Sequence, residues 1–227
     1  MTFEDLEKTI HITFTNRQLL KQAFFHRSYL NEDRSVKVSN ERLEFLGDAV
    51  LSFLTSSFLY KNHPDFPEGI LTNIRSGLVK TKTLSTIAQT LRLGELLFLS
   101  KGEEESGGRK NQSLLADCFE ALLGAIYLDQ GIEICRTYLE TYLFPQAQII
   151  IENKQYIDYK SHLQEIVQET SKASPVYRVT RSEGPDHDKT FWIEVLSGTK
   201  ILGEGMGKSK QEAEQAAASD ALVKMQK

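Results

Sequence analysis

Cysteine is scarce in this chain. There are two, Cys118 and Cys135, with no C-x-x-C pair and no neighbouring cluster of cysteine or histidine. Both fall inside helical patterns, so two reduced core thiols are expected rather than a disulfide framework or a thiolate metal site. The five histidines are scattered, and none has the spacing of a zinc ligand set. No apolar run approaches the ~18 residues needed to span a membrane. The N-terminal stretch MTFEDLEKTI has acids where a signal peptide would carry positive charge, so a mature, cytoplasmic chain is expected. Internal repeats and low-complexity segments are also lacking. Positive charge is in slight deficit: 27 Lys and Arg against 31 Asp and Glu, a net charge of −4. Taken alone, that balance argues mildly against a nucleic-acid partner.

What is present is the composition of a globular protein, 40% hydrophobic and 26% charged over 227 residues, enough for one large domain or two modest ones. Residues 1–151 read as helix after helix. Period-3.6 apolar spacing recurs in 17–30, 40–62, 69–90 and 113–128, with further helical stretches around 132–151. Polar breaks fall at NEDRSVKVSN, NHPDFPEG and KGEEESGGRKNQS. The last reads as a solvated loop, or as a loop that sets Arg109 and Lys110 beside a polyanionic ligand. Beyond a polar stretch at 152–155 the pattern changes. A helix around 158–170 precedes three strand-like runs, PVYRVTRSEG, KTFWIEVLSG and KILGEGMG. A last helix at 209–226 opens with the capping-box pattern Ser209-x-x-Glu212. A boundary therefore lies near 152–157, separating a helical domain, 1–153, from an α-β-β-β-α unit, 157–227.

One stretch of the helical part poses a problem of charge. In NERLEFLGDAVL, Glu41, Glu44 and Asp48 fall inside an arc of roughly 60° at about 100° per residue, while apolar side chains cover most of the rest. A helix apolar nearly all round is normally buried, so these carboxylates need neutralising. A second helix, LLADCFEALLGAIYLD, supplies a matching pair: Asp117 and Glu120 are three apart and share a face. Ala121 and Gly124 beside them are small enough for a helix or ligand to approach closely.

If Glu44, Asp48, Asp117 and Glu120 converge, each pair at 4 Å repels by about 1 kcal/mol in water and roughly 4 kcal/mol at an effective dielectric of 20. Four anions so placed require protons or cations. Oxygen-only ligands select hard divalent ions, Mg²⁺ above all, which retains waters and favours phosphate-rich substrates. Two such ions would cancel the formal charge of −4, and the acidic composition would no longer count against a nucleic acid. Two-metal carboxylate sites serve in-line phosphodiester hydrolysis. The structural alternative is a set of ion pairs.

NERLEFLGDAVL resembles the signature of the ribonuclease III family. PEGILTNIRSGLV, GGRKNQSLLADCFEALLGAIYLD and the C-terminal pattern match the same family, over essentially the whole chain. The resemblance implies an all-α endonuclease domain followed by a small α+β double-stranded-RNA-binding domain. It implies a Mg²⁺-dependent homodimer, with Mn²⁺ as substitute and no small-molecule cofactor or membrane partner. Each subunit would hold one active site. The pair would cut both strands of duplex RNA to 5′-phosphate and 3′-hydroxyl ends with short 3′ overhangs, in processing of ribosomal-RNA precursors and messenger RNA. Carried onto this sequence, the metal-binding carboxylates are Glu44, Asp48, Asp117 and Glu120, with Asp48 and Glu120 catalytic. Glu41 and Glu68 match further acidic positions, as supporting acids of the cleft. Phe45 matches an aromatic position at the dimer interface; its alternative is a plain core residue.

In the C-terminal unit, such a domain would read A-form shape through 2′-hydroxyls and phosphates. Ser161, Gln164 and Glu165 share a face of the first helix that can reach a minor groove, and His187 in the GPDH loop would make a second contact. Lys208 and Lys210 flank the start of the last helix, whose dipole favours phosphate. The unit is not basic overall, with ten Lys and Arg against eleven Asp and Glu from residue 156 onward, so the local lysine cluster carries the case. Where the family often has a further lysine, this chain has Gln211. The competing reading is a cleavage-silent duplex-RNA-binding assembly factor. A small-molecule phosphohydrolase is disfavoured by the second unit.

Overall fold

A computed structural model describes residues 1–154, 156–171, 173–185 and 188–225. The chain divides into two compact units, Met1–Tyr156 and Ile157–Lys227.

The first unit is helical. Its centre is the crossing of two apolar helices, α3 (Glu41–Asn62) and α7 (Gln112–Gln130). α7 is buried almost all round, from Leu115 to Ile126. Asn111 starts it by accepting the backbone N–H groups of Ser113 and Leu114 at 2.9 and 3.3 Å, satisfying donors that have no partner inside the helix. Around this pair stand α1 (Phe3–Ile10), α2 (Arg17–Gln22), α4 (Glu68–Val79), α5 (Thr81–Thr90), α6 (Lys101–Glu105), α8 (Ile132–Tyr142) and α9 (Pro145–Glu152).

Two expected helices are each broken, and the helical stretches expected around 132–151 are two, α8 and α9. The pattern at 17–30 yields α2 and then a 3-10 turn, Arg27–Asn31. Between them Phe25 makes a parallel bridge to Phe98, and the His26 N–H donates to the Phe98 carbonyl at 3.1 Å, so the backbone leaves the helix to pair with a distant segment. The pattern at 69–90 is interrupted at Lys80, which is extended at ψ 148°. No glycine or proline marks that break. The stretch at 132–151 restarts at Pro145, a residue suited to a first helical position because its missing N–H would have no partner there. The segment KGEEESGGRKNQS, read as a loop, contains α6 and a 3-10 turn at Gly108–Lys110.

Among the described residues α3 is long and apolar enough, by length and composition, to cross a bilayer. The sequence reading anticipated no such segment, because charges interrupt the run. The helix lies instead against α7, with Leu43, Val50, Leu51, Leu54 and Leu59 in the core. Its aromatic side chains Phe45, Phe53 and Tyr60 are 80%, 60% and 76% exposed.

The second unit packs α10 (Tyr159–Ser171) and α11 (Lys210–Met225) on one face of an antiparallel sheet. The sheet order is β1 (Val176–Glu183), β2 (Thr190–Ser197), β3 (Lys200–Gly207). Ile193 and Val195 of β2 point into the core, which Leu163, Val167 and the alanines of α11 complete. β3 reads G-E-G-M-G from residue 203, and its glycines face α11. A Cβ on Gly205 would stand 2.1 Å from the Ala217 nitrogen, so glycine on the strand and alanine on the helix together permit this close contact. The expected capping box is modified. Ser209 accepts the Glu212 N–H at 3.1 Å, but the Glu212 carboxylate reaches back to the Lys208 N–H at 2.9 Å rather than to Ser209.

Candidate active site

The crossing of α3 and α7 brings the two acidic pairs to one place. Glycine makes the crossing close: a Cβ on Gly124 would be 2.2 Å from the Leu43 carbonyl oxygen. At this point Glu44, Asp117 and Glu120 each offer a carboxylate oxygen, all within 4.8 Å of one another, and all three residues are half-buried.

The electrostatics of the cluster are those of uncompensated anions. Burial raises the Glu44 carboxyl above its usual value, with repulsion from Asp117, Glu41 and Asp48 added. Burial likewise raises Asp117, against the opposing influence of His26. Glu120 is pushed up to about 8, first by burial and then by the charges of Asp48, Asp117 and Glu44. Desolvation acts on all three and like charge adds to it at Glu44 and Glu120, the pattern expected of a site built for a proton or a cation. An all-oxygen donor set at this spacing fits a hard divalent ion.

Asp48 stands apart from the close group. It is exposed, one helical turn along α3 from Glu44, and is close enough to raise the Glu120 carboxyl without joining the three converging oxygens. Glu41 lines the cleft beside Glu44, 3.6 Å from Arg27, and accepts the Ser39 hydroxyl at 2.8 Å. Glu68 does not share this cleft. It lies in a separate groove of about 410 Å³ with Phe53, Tyr60 and Arg75, because α4 packs against the far half of α3. The expected grouping of Glu68 with the other acids therefore does not hold within one chain.

Arg109 also differs from its ligand-facing alternative. Its guanidinium donates to the backbone carbonyls of Gly94, Glu95 and Leu97 at 3.1, 3.3 and 2.8 Å and pairs with Glu104 at 2.6 Å, so it ties the segment after α5 to the turn before α7. Phe45 is no core residue, since four-fifths of it is exposed.

The cleft itself has a volume of about 380 Å³ and includes three residues that periodicity did not bring forward: His26, Arg27 and Glu103. The available signal was the His-x-Ser spacing at His26 and Ser28, whose side chains meet at 2.8 Å.

On the second unit, Ser161, Gln164 and Glu165 are exposed on the side of α10 away from buried Leu163 and Val167. The Ser161 hydroxyl donates to Asp158 at 2.7 Å. His187 lies outside the described residues. Lys208, Lys210 and Gln211 are exposed at the start of α11, and Lys208 is paired with Asp188 at 2.8 Å. The two Cys thiols are buried and unbridged.

A helical domain with a cation-ready carboxylate cleft, joined to a sheet-and-two-helix module of this topology, belongs to the class of nucleases that carry their own RNA-binding domain. Residues 16–147 match the ribonuclease-III-like family and residues 159–225 the double-stranded RNA binding motif. Ribonuclease 3 of Bacillus licheniformis is 46% identical over 99% of this chain and 90% of that one. Ribonuclease 3 of Oceanobacillus iheyensis is 45% identical over 98% and 97%. The solved nuclease domain of ribonuclease III from Campylobacter jejuni is 37% identical with a TM-score of 0.59, covering 63% of this chain and 99% of its own. The chain belongs to the ribonuclease III family of endoribonucleases.

Proposed function

We propose that the protein hydrolyses both strands of duplex RNA in a reaction dependent on divalent metal, with Mg²⁺ as the working ion. The observation that carries this reading is the convergence of Glu44, Asp117 and Glu120 within 4.8 Å at the helix crossing. These three residues would hold the metal, with Asp48 at the exposed margin completing the set. Bound there, Mg²⁺ supplies charge neutralisation, an activated water and stabilisation of the leaving oxygen. The carboxylates of α3 and α7 would fix where the scissile phosphate sits, because Glu41, Glu44 and Asp117 line the same cleft. The second unit retains duplex RNA by shape, through the exposed face of α10 and the lysines at the start of α11.

Pairing of two copies supports cutting on both strands, since a two-fold axis matches the pseudo-two-fold symmetry of a duplex backbone. The exposed aromatics Phe45, Phe53 and Tyr60 fall within about 80° of one another around α3, a stripe suited to a self-complementary contact. Structured precursors of ribosomal and messenger RNA in the cytoplasm are the expected substrates, cut to 5′-phosphate and 3′-hydroxyl ends with short 3′ overhangs.

The test uses a labelled perfect RNA duplex, incubated with the protein in Mg²⁺ and in chelator, beside a Glu120→Gln variant. Staggered cuts that need Mg²⁺ and disappear in the variant, while duplex retention persists, support the reading. Retention without cutting by the unaltered protein would overturn it.

A further inference from the structure

His26 sits on the wall of the acidic cleft in an arrangement that decides which ring nitrogen carries the proton. Its Nδ1 is 2.8 Å from the Ser28 hydroxyl and accepts the Ser28 backbone N–H at 3.4 Å. The Ser28 hydroxyl oxygen in turn accepts the Ser100 N–H at 3.0 Å. A backbone N–H is always a donor, so a proton on Nδ1 would face it donor to donor. The hydroxyl oxygen, already accepting from Ser100, has its own hydrogen to give to Nδ1. Nδ1 is therefore the acceptor, and the neutral ring carries its proton on Nε2.

That Nε2–H has no hydrogen-bond partner among the described residues. Of the other donors of the cleft, the buried Asn40 amide is engaged at the Ala23 carbonyl at 3.3 Å, and Arg27 is an exposed side chain 3.6 Å from Glu41. The remaining polar side chains of the cleft are the carboxylates Glu41, Glu44, Glu103 and Asp117. These accept hydrogen bonds and repel a phosphate. The main chain that carries the ring is also held in place: the His26 backbone N–H donates to the Phe98 carbonyl, and the Phe98 backbone N–H to the Phe24 carbonyl, at 3.1 and 2.9 Å. A donor fixed on a rigid wall needs no reorganisation when an oxyanion arrives.

We propose that His26 contacts substrate, donating its Nε2–H to a non-bridging oxygen of the RNA phosphodiester that enters the cleft, and that Ser28 is the positioning residue that holds this tautomer. The inference rests on the reading of the cleft as a phosphodiesterase site and adds a protein donor to its carboxylates.

The test exploits two amides that mimic different ring nitrogens. Glutamine can place its side-chain N–H near the Nε2 position, and asparagine near Nδ1. Single-turnover cleavage of a labelled duplex in Mg²⁺ is compared for the unaltered protein, His26→Gln and His26→Asn. Thermal midpoints and duplex retention without divalent ions are measured alongside. Both variants lose the imidazole and its packing, so a purely structural role would slow them equally. The expected result is cleavage within about threefold of normal for His26→Gln and about 10- to 100-fold slower for His26→Asn, the loss appropriate to one hydrogen bond to a charged group, with retention unchanged in both.

Equal rates for the two variants, in a protein that does cut, would overturn this inference alone. A protein that does not cut overturns the nuclease reading and this inference with it. A second readout needs no substrate. In ¹⁵N-histidine-labelled protein above the titration range of histidine, the His26 ring, assigned by its absence from His26→Gln, shows its proton on Nε2, and Ser28→Ala moves it toward a mixture of tautomers. A proton found on Nδ1 in the unaltered protein would refute the proposal.

Discussion

Gly47 of α3 lies against the backbone of Glu120 in α7 so closely that a Cβ built on it would stand 1.8 Å from the Glu120 carbonyl oxygen. Gly47 sits between Glu44 and Asp48 in sequence, and Glu120 is one of the converging acids. The approach of the two backbones and the assembly of the carboxylate cluster are thus one structural event.

Gly47→Ala is accordingly expected to force the helices apart. Overpacking a filled interior costs typically about 1–3 kcal/mol, and this clash is with backbone, which cannot swing aside. Chemical denaturation should show a loss of about 3 kcal/mol or more. Gly124→Ala, which meets the Leu43 carbonyl across the same crossing, should behave alike. The double variant should lose less than the sum, because helices already separated no longer clash at the second site.

Stability without metal should fall as pH rises. The Glu120 carboxyl in the folded protein is raised from 4.5 to about 8, so the folded state binds its proton more tightly than the unfolded chain does. That contribution is complete below the unfolded value of 4.5 and is lost as pH rises through about 8. In chelator, the thermal midpoint should therefore drop across this window, and Glu120→Gln should flatten the drop. Added Mg²⁺ should raise the midpoint most at the alkaline end. A midpoint independent of pH in chelator would contradict the buried, mutually repelling arrangement of these acids.

RNA retention should depend on how many lysines at the start of α11 are available. Lys208 is paired with Asp188, and Gln211 is exposed beside Lys210. Asp188→Asn should release Lys208, and Gln211→Lys should add a cation. Each change is expected to steepen the logarithmic dependence of duplex binding on salt by up to about one unit. Filter retention across a salt series reads this directly, and slopes that match the unaltered protein would remove α11 from the contact.

The two cysteines should be inert while the protein is folded. Burial, and then the nearby charge of Asp117, raises the Cys118 thiol far above its ordinary value. Burial pushes Cys135 up to about 12. The thiolate is the reactive form, so a disulfide-exchange reagent near neutral pH should modify neither residue until the chain unfolds, at a rate that follows denaturant-induced opening.

Much of this architecture could be read locally. Glu44 and Asp48 at i and i+4, Asp117 and Glu120 at i and i+3, each on an otherwise apolar helix, mark two helices whose acidic faces call for a common partner, since helical periodicity alone sets which side chains share a face. The three strand-like runs and the last helix of the second unit follow from the same local geometry. Other features depend on segments distant in sequence. Lys80 ends a helix without a glycine or proline. Arg109 is drawn to three backbone carbonyls between residues 94 and 97. The ring of His26 is oriented by Ser28, whose hydroxyl is anchored to Ser100. The sequence by itself determined which faces are acidic, apolar or small, because those follow from the spacing of neighbours. Only the tertiary structure decided that three carboxylates converge while Asp48 stays at the margin, that Glu68 faces another groove, and that His26 lines the cleft. Those outcomes depend on how closely two backbones approach and on which distant carbonyls and N–H groups find one another.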